Sequence, residues 1–314
     1  MLTSVIIPTH NRAKTLLLCL DALSELNISP EIYEIIIVDN CSTDTTRDTC
    51  LNFAKTNPSL QIRYIFEEKQ GVSFARNRGV IESRGEIVCF LDDDSPPTTE
   101  WLASLLKPFA DPNVGCVGGP SILDFQGQQI PPWLRGDLQV YLSAYGLPYT
   151  KPTQVSRWEH YPYSCNMAIR RNMFNHLGYF RTDLDRTGNQ VLAAGDTEMA
   201  ERIFKAGWKV IYVPNAPVRH LVPPERLTKD HIYRIGRGLA ESHIIITSDP
   251  RPHLIARWFA SDLWYATRMF FGFVIAVVRR KPLWFDDYIR FWIVAMRIPI
   301  RLRVVFRRSA GKDI

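Results

Sequence analysis

Short apolar runs alternate with segments of helical apolar spacing along the first part of the chain. Five near-continuous apolar runs predict strands, at residues 3–8, 33–39, 61–66, 86–92 and 114–119. The segments between them predict helices, at residues 12–26, 43–55, 71–83 and 98–109. Strands that are apolar throughout are typical of parallel sheets covered on both faces. The pattern therefore predicts an α/β fold, a three-layer α/β/α sandwich with a mostly parallel sheet.

The regular alternation ends after the fifth predicted strand. Residues 120–160 are rich in Pro, Gln, Gly and aromatic residues, and this stretch is too long for an ordinary connection. We interpret it as a functional loop or a partly ordered lid. Regular elements return as strands at residues 164–170 and 209–214, and as helices near residues 195–206 and 228–246.

Composition limits the kind of protein that the chain can be. With 314 residues and 46% hydrophobic residues, it is long enough for one large domain or two. The six cysteines are widely spaced and include no C-x-x-C pair, which argues against a disulfide framework or a zinc site and favours a reducing, cytosolic environment. The first eight residues predict a strand and not a signal peptide.

Basic charge is concentrated in the last fifth of the chain. Residues 251–314 hold 13 Lys/Arg and 4 Asp/Glu, a net charge of +9, so the first 250 residues carry −3 of the overall +6. Residues 257–300 are also dense in Trp, Tyr and Phe. The sequence thus predicts a catalytic domain at residues 1–225 and a basic, aromatic, α-helical C-terminal extension at residues 226–314.

The composition of this extension predicts contact with a membrane surface. Its longest uncharged run, residues 269–278, is shorter than the roughly 18 residues that indicate a spanning helix. Cationic, aromatic and interrupted segments are typical of helices that lie in the membrane interface next to anionic lipid. The alternative is a helical subdomain packed on the catalytic core. The large apolar content argues against nucleic-acid binding.

Polar side chains follow three of the predicted strands. The turn 8–12 follows the first strand, Asp39 ends the second, and the triplet Asp92, Asp93 and Asp94 ends the fourth. The carboxyl ends of parallel strands meet at one edge of a sheet, where open α/β sheets bind ligands. Carboxylate oxygens suit Mg²⁺ or Mn²⁺, which usually bind together with substrate phosphates. We therefore predict a nucleotide-diphosphate pocket there; a solvated acidic turn and a simple helix cap are the alternatives.

Six motifs in order resemble those of the family 2 glycosyltransferases, which have the GT-A type of Rossmann-like fold. They are VIIPTHNR at 5–12, IIIVDN at 35–40 with STD at 42–44, ARNRG at 75–79, FLDDD at 90–94, NMAIRR at 166–171 and GDTE at 195–198. Together they cover roughly residues 1–220. The resemblance implies a glycosyltransferase that uses a nucleotide-diphosphate sugar.

The resemblance also implies roles for individual residues. The residues that it places around the nucleotide are Pro8, Thr9, His10, Asn11, Arg12, Asp39, Arg76, Asn77, Asp92 and Asp93. Among these, Asp39 would bind the base and Asp92 would lie toward the ribose. Asp94 would bind the metal ion, Mn²⁺ or Mg²⁺, which offsets charge on the departing diphosphate. His220 is a further candidate metal ligand, with a purely structural histidine as the alternative.

Asp196 is the candidate catalytic base. The resemblance places it under the donor, where it would take the proton from the acceptor hydroxyl as that oxygen attacks and inverts the anomeric carbon. Capping of the predicted helix is the alternative, and Glu198 is a candidate supporting residue. Trp133, Trp158, Tyr161 and Tyr163 are candidates for an acceptor platform; packing of the irregular region onto the core explains them equally well.

The leading hypothesis is an inverting, metal-dependent glycosyltransferase with a UDP-sugar favoured as donor and a glycan or lipid-linked acceptor. We expect it in polysaccharide or cell-surface glycan biosynthesis, cytoplasmic, as a peripheral or monotopic protein on the inner face of the membrane. A sugar nucleotidyltransferase is one rival, but the turn at residues 8–12 lacks the Gly-rich phosphate loop it would carry. A non-catalytic scaffold is another rival. Such a scaffold would have lost the acidic groups of the site, but this chain keeps Asp39, Asp92, Asp94 and Asp196.

Overall fold

The computed structural model of the chain describes residues 2–184, 186–187, 190–191, 194–247, 252–279 and 284–309. The chain divides into two compact units. The first, here called the sheet unit, comprises Met1–Gln126, Ser143–Asp185 and Gly195–Val222. The second, the helical unit, comprises Gly127–Leu142, Arg186–Ala194 and Pro223–Ile314. The boundary at residue 225 between a catalytic domain and a membrane-associating region stays a prediction. Two segments before that residue, Gly127–Leu142 and Arg186–Ala194, group with the helical unit by their contacts.

The strands of the chain are numbered in sequence order. They are β1 Thr3–Thr9, β2 Tyr33–Asp39, β3 Gln61–Phe66, β4 Ile87–Leu91, β5 Val114–Gly118, β6 Ser121–Asp124, β7 Thr153–Val155, β8 Asn166–Arg170, β9 Arg186–Thr187, β10 Gln190–Val191, β11 Lys209–Tyr212 and β12 Val218–Leu221. Within the described residues, eight of them form one sheet in the order β3-β2-β1-β4-β8-β5-β11-β7. Its pairs are parallel except those that involve β8 or β7. The predicted mostly parallel sheet is confirmed.

The helices connect these strands or form the helical unit. Those of the sheet unit are α1 Ala13–Ser24, α2 Thr46–Thr56, α3 Val72–Glu82, α4 Trp101–Leu106, α5 Asn172–Leu177 and α6 Gly195–Lys205. Those of the helical unit are α7 Lys229–Thr247, α8 Pro252–Val278 and α9 Trp284–Ser309. The helix predicted at 98–109 is shorter because Pro108 has no backbone N–H to continue it, and a 3-10 turn, Lys107–Ala110, takes its place.

Two apolar cores cover the two faces of the sheet. Val5 and Ile7 of β1 belong to a core shared with α1, α2 and α4. Ile6, which points to the other face, belongs to a second core shared with α3, α5 and α6. Successive residues of a strand point to opposite faces, so an apolar run fills both cores. The predicted three-layer α/β/α sandwich is confirmed.

The helix α3 packs unusually close to β1 at Gly79. A Cβ atom added there would lie 2.4 Å from Cγ2 of Ile6, whose side chain is fully buried. We predict that Gly79→Ala lowers the free energy of unfolding by about 1–3 kcal/mol, because the core has no room for the extra methyl group. Urea denaturation measures this change. Gly146→Ala is the matched control with no atom within 4 Å, and equal losses in the two variants would contradict the packing argument.

The helical unit is held together by α9, which packs against both α7 and α8. Asp262 of α8 and Arg301 of α9 form a buried ion pair with a distance of 2.9 Å between Oδ2 and Nε. The guanidinium of Arg301 also lies 4.9 Å from the ring centre of Trp258. The predicted helical C-terminal region is confirmed.

One face of α8 is apolar and exposed. Large exposed side chains recur along it at helical spacing: Leu263, Trp264, Phe270, Phe271, Val274, Ile275 and Val278. In the part of the chain that the structure describes, the segment Arg257–Val278 is the one helix long and apolar enough to cross a membrane, judged by length and composition alone. The longest uncharged run, residues 269–278, is too short to predict such a helix from the sequence. The uncharged run stops at Arg268, but helix α8 continues through that residue. Asp262, the acidic residue of this segment, is paired with the buried Arg301.

Candidate active site

The carboxyl ends of β1, β2 and β4 meet at one edge of the sheet. Thr9 pairs with Asp39 in the parallel register of β1 and β2, and β4 lies on the other side of β1. The chain adds β2 and β3 on one side of β1 and then places β4 on the other side. Open α/β sheets form a ligand crevice at such a switch point. The structure therefore brings together the turn at 8–12, Asp39 and the acidic triplet, as the sequence predicted.

The acidic triplet is largely buried. Asp93 and Asp94 are 4% and 3% exposed, so the alternative of a solvated acidic turn does not describe them. Nη1 of Arg12 donates to Oδ1 of Asp93 at 3.0 Å and to Oδ2 of Asp94 at 2.6 Å. The hydroxyl of Thr9 donates to Oδ2 of Asp93 at 2.7 Å. The turn after β1 thus supplies a cation and a hydroxyl to two buried carboxylates.

Burial and this contact together shift the pKa values of Asp93 and Arg12. Burial raises the pKa of Asp93 to about 7, although Arg12 and Thr9 favour its charged form. Burial lowers the pKa of the Arg12 guanidinium, but the neighbouring charges of Asp93 and Asp94 outweigh that effect and leave the pKa above its ordinary value. Arg12 therefore stays charged and acts as a permanent cation beside the triplet.

His220 lies beside Asp94. Its Nδ1 is 3.4 Å from Oδ1 of Asp94 and 3.0 Å from the hydroxyl of Ser95, and its side chain is buried. The strand β12 positions it, because the N–H of Leu221 donates to the carbonyl of Asp94 at 2.8 Å. The structure therefore brings together the two residues predicted as metal ligands.

The carboxylate oxygen suits Mn²⁺ or Mg²⁺, and neutral imidazole is a common ligand of transition-metal ions. Among the described residues, no group of three or more His, Cys, Asp and Glu side chains is arranged to hold an ion. A site with two protein ligands fits an ion whose remaining ligands come from substrate phosphates. The donor set at Asp94 and His220 is consistent with that chemistry.

Arg76 and Asn77 follow each other in α3 but have different contacts. Nη2 of the buried Arg76 lies 3.2 Å from Oδ1 of Asp92. The amide of Asn77 instead binds the backbone of Phe180, donating to its carbonyl and accepting from its N–H, both at 2.9 Å. The guanidinium of Arg76 lies 6.0 Å from the ring centre of Phe180. Asn77 thus fixes the backbone of Phe180, whose ring lies beside Arg76. Contact between Asn77 and a nucleotide stays a prediction.

Asp39 is buried and fixed by two hydrogen bonds. Its Oδ2 accepts from the hydroxyl of Tyr64 at 2.7 Å, and its Oδ1 accepts from the N–H of Ser42 at 2.9 Å. The neighbouring turn is tied to the same region. Nδ1 of His10 lies 2.6 Å from the carbonyl of Asn40, and Oδ1 of Asn11 accepts from the N–H of Thr43 at 2.6 Å. Each oxygen of Asp39 has a further lone pair that can accept a hydrogen bond. Base binding by Asp39 stays a prediction.

Asp196 lies in the first turn of α6 and is held from two sides. Its Oδ2 accepts from the N–H and the hydroxyl of Ser164 at 3.0 and 3.1 Å, and its Oδ1 accepts from the N–H of Thr197 at 2.8 Å. The bond from Thr197 joins adjacent residues and satisfies one of the free N–H groups in the first turn of α6. Ser164 is 32 residues away, however, so capping alone does not account for the position of this carboxylate.

The buried thiol of Cys165 relates Asp196 to the triplet. Burial raises its pKa well above the ordinary value, and the charges of Asp92, Asp196 and Asp94 raise it further. A charge shifts the pKa of a neighbouring group at short range. The ladder between β4 and β8 agrees with this, because Asp196 is bound by Ser164, two residues before Asn166, and Asn166 pairs with Leu91 directly before the triplet.

The remaining candidates have structural contacts. Glu198 forms an ion pair with Nε of Arg202 at 2.9 Å, and Arg202 donates to the carbonyl of Leu177 at the end of α5. Tyr163 packs on Tyr145, and the buried Tyr161 packs on Phe204. These contacts support the packing alternative for Tyr161 and Tyr163.

Trp133 and Trp158 belong to different units. Trp133 packs against Phe285 in the helical unit, with ring centres 5.1 Å apart. Trp158 lies in a 3-10 turn, Trp158–His160, of the sheet unit and is half-buried. A role of either in acceptor binding stays a prediction.

Sequence reasoning missed three residues that shape the site: Ser164, Tyr64 and Phe180. Each acts through a contact with a residue at least 25 positions away, to Asp196, Asp39 and Asn77 respectively. A single sequence contains no signal for such contacts. Only Ser164 was close to a motif, two residues before the segment at 166–171.

Two curated relatives are similar to the chain over most of its length. Glycosyltransferase AglE from Haloferax volcanii is 27% identical over 247 residues, which are 75% of this chain and 72% of the relative. Succinoglycan biosynthesis protein ExoM from Rhizobium meliloti is 27% identical over 210 residues, 66% of this chain and 63% of the relative.

A solved structure shares the fold. The mannosyltransferase PcManGT from Pyrobaculum calidifontis, in complex with GDP-Man and Mn²⁺, aligns with 99% of this chain and 76% of its own, with a TM-score of 0.59 and 22% identity. The model of the family described as Glycosyl transferase family 2 matches residues 4–178, more than half of the chain. The GT-A fold predicted from the motifs is confirmed, and the chain belongs to glycosyl transferase family 2.

Proposed function

We propose that this glycosyltransferase moves a sugar, with inversion, from a nucleotide-diphosphate sugar to a glycan or lipid-linked acceptor. One observation carries the proposal: Asp196 is bound by Ser164, two residues before Asn166, and Asn166 pairs with Leu91 directly before the acidic triplet. This edge of the sheet combines a place for a leaving diphosphate with a carboxylate that can accept a proton. Transfer from an activated donor requires both functions.

Asp94 and His220 would hold the divalent ion, Mn²⁺ or Mg²⁺. When bound, the ion offsets the charge that develops on the departing diphosphate. Arg76 holds Asp92 in place, and Asp92 accepts hydrogen bonds from the donor ribose. The mannosyltransferase PcManGT was solved with GDP-Man and Mn²⁺, which supports this reading of the acidic edge.

Asp196 accepts the proton of the acceptor hydroxyl. The two donors of Ser164 and the N–H of Thr197 keep its carboxylate in a fixed orientation, which lowers the cost of arranging it for each turnover. Attack by the acceptor oxygen from the face opposite the diphosphate inverts the anomeric carbon. No covalent enzyme intermediate is formed in such a single displacement.

The proposal also names a donor class and an acceptor class. A UDP-sugar is the favoured donor, with GDP- and dTDP-sugars as alternatives, and PcManGT binds GDP-Man. A relative named for succinoglycan biosynthesis supports an acceptor in polysaccharide or cell-surface glycan synthesis. The family match argues against the sugar nucleotidyltransferase, and the retained carboxylates argue against a non-catalytic scaffold.

A panel of nucleotide sugars tests this function. Protein with Mn²⁺ is mixed with UDP-, GDP- and dTDP-sugars, and both the melting temperature and the release of nucleoside diphosphate are measured. We expect one nucleotide class to raise the melting temperature and to be hydrolysed slowly without acceptor. A protein that neither binds nor hydrolyses any member of the panel would refute the proposal.

The helical unit binds the cytosolic surface of a membrane through α8, as a peripheral or monotopic element. Its exposed apolar face is accompanied by the exposed basic residues Arg257, Arg268 and Arg279. Apolar side chains next to exposed arginines are suited to the interface of an anionic bilayer. The sequence predicted this contact from composition, and the exposed face of α8 supports it.

Charges placed on the apolar face of α8 should release the protein from membranes. Phe271 and Val278 are 59% and 76% exposed, so the double change Phe271→Asp/Val278→Asp leaves the interior intact. We expect flotation with vesicles that contain anionic lipid to fall by about tenfold or more. Ile81→Asp/Ile122→Asp, at side chains 62% and 55% exposed in the sheet unit, is the matched control. Unchanged flotation of the α8 variant would exclude this face as the membrane contact.

A further inference from the structure

We propose that Arg12 is a built-in cation of the metal site, which makes divalent-ion binding depend on the nucleotide diphosphate. In the donor-free enzyme its guanidinium offsets part of the negative charge of Asp93 and Asp94 and opposes a second positive charge beside them. Arg12 is then a positioning residue of the metal-binding carboxylates and not a ligand of the base or ribose. This inference rests on the proposed function, because it assumes that Asp94 binds the ion.

Burial makes a counter-charge necessary at this point. The side chains of Asp93 and Asp94 are 6% and 5% exposed, so water does little to separate their charges. Adjacent buried carboxylates repel each other unless a cation lies between them. A single nitrogen, Nη1 of Arg12, contacts both residues at 3.0 and 2.6 Å. The structure thus places a cation where the triplet needs one before any metal ion arrives.

The two oxygens of Asp94 face different partners. Oδ2 accepts from Arg12, whereas Oδ1 lies 3.4 Å from Nδ1 of His220. An ion held by Asp94 and His220 would share the Asp94 carboxylate with the guanidinium. Like charges in contact with one buried group oppose each other. Arg12 consequently weakens binding of the ion when no phosphate is present.

The diphosphate removes this penalty. It adds negative charge to the same edge, so that guanidinium and ion together are balanced by the triplet and the phosphates. Arg12 is placed for this exchange, because its side chain is 38% exposed while its partners are buried. Thr9 keeps Asp93 in position independently through its 2.7 Å hydrogen bond. Ion and nucleotide should therefore bind cooperatively, and Arg12 should set the degree of that cooperativity.

Mn²⁺ binding to the full chain tests the proposal without reference to activity. Free Mn²⁺ is measured by electron paramagnetic resonance, with and without UDP or GDP, and melting temperature is measured in EDTA and in Mn²⁺. The variants are Arg12→Met, Arg12→Gln, which is neutral but keeps hydrogen-bond donors, and Arg12→Lys, which keeps the charge. Arg63→Met is the matched control, since Arg63 bridges Glu34 and Glu82 at 3.3 and 3.0 Å.

Both neutral variants should bind Mn²⁺ alone about tenfold or more tightly than the wild type, with a smaller gain from nucleotide. Their melting temperature should fall in EDTA and recover in Mn²⁺, while Arg12→Lys resembles the wild type. Arg63→Met should lower the melting temperature equally in EDTA and in Mn²⁺. If the wild type binds Mn²⁺ but Arg12→Gln binds it no more tightly, the role of Arg12 is wrong and the proposed function is unaffected. A wild-type protein that binds no Mn²⁺ with either nucleotide contradicts the proposed function itself.

Discussion

Asp196→Asn is expected to lower the rate of sugar transfer by about 10²–10⁴-fold, the usual contribution of a general base, while donor binding stays unchanged. The amide has the shape of the carboxylate but cannot accept the proton of the acceptor hydroxyl. Its single oxygen can accept either from Ser164 or from the N–H of Thr197, so one of these two contacts is lost, and the melting temperature shows whether the start of α6 keeps its structure. The measurements are kcat for transfer and the dissociation constant of the nucleotide sugar.

The control for this variant lies in the same helix. Glu201→Gln removes a carboxylate that forms an i,i+4 ion pair with Lys205 at 3.1 Å. It should leave kcat within about twofold of the wild type, because such pairs contribute little. If Asp196→Asn retained near-normal transfer, Asp196 would be a capping residue and the base would have to be sought elsewhere.

Asp94→Asn should lower metal-dependent transfer by at least about 100-fold, since electrostatic stabilisation of a leaving group contributes several kcal/mol. Unlike Asp196→Asn, it should also weaken the joint binding of Mn²⁺ and nucleotide. The reason is geometric: Asp94 is buried between Arg12 and His220, and a neutral amide there leaves the ion without its carboxylate. Calorimetric titration of nucleotide with and without Mn²⁺ separates binding from turnover.

Asp111→Asn is the matched control for Asp94→Asn. Asp111 is also ion-paired, to Lys209 at 2.7 Å, but it precedes β5 and so lies at the opposite edge of the sheet. Its loss should leave both Mn²⁺ binding and turnover unchanged. An Asp94→Asn protein with full activity in Mn²⁺ would contradict the assignment of the metal site.

The layer structure was predictable because the central strands are near-continuous apolar runs. Ile6 and its neighbours Val5 and Ile7 fill two different cores, and that requirement is visible in the sequence itself. The direction of β8 was not predictable in this way. A buried five-residue run has the same pattern in either direction, and only pairing with β4 and β5 shows that it is antiparallel.

The candidate site was predictable as a set of residues but not as a set of contacts. The ends of β1, β2 and β4 must meet once the sheet is parallel, which places Asp39 and the triplet together. Which side chains pair is decided by the tertiary fold. Arg12 lies 81 and 82 positions from the carboxylates it bridges, and no local pattern specifies that pairing.

Donor hydrolysis followed by proton NMR is a direct test of metal-dependent, inverting displacement at this site, because it needs no knowledge of the acceptor. The protein is incubated with Mn²⁺ and the α-linked nucleotide sugar that it binds, and the anomeric form of the first free sugar is recorded before it mutarotates. We expect the β anomer from the wild type and no enzyme-dependent release from Asp94→Asn. Release of the α anomer first, or equal release by both proteins, would contradict this mechanism.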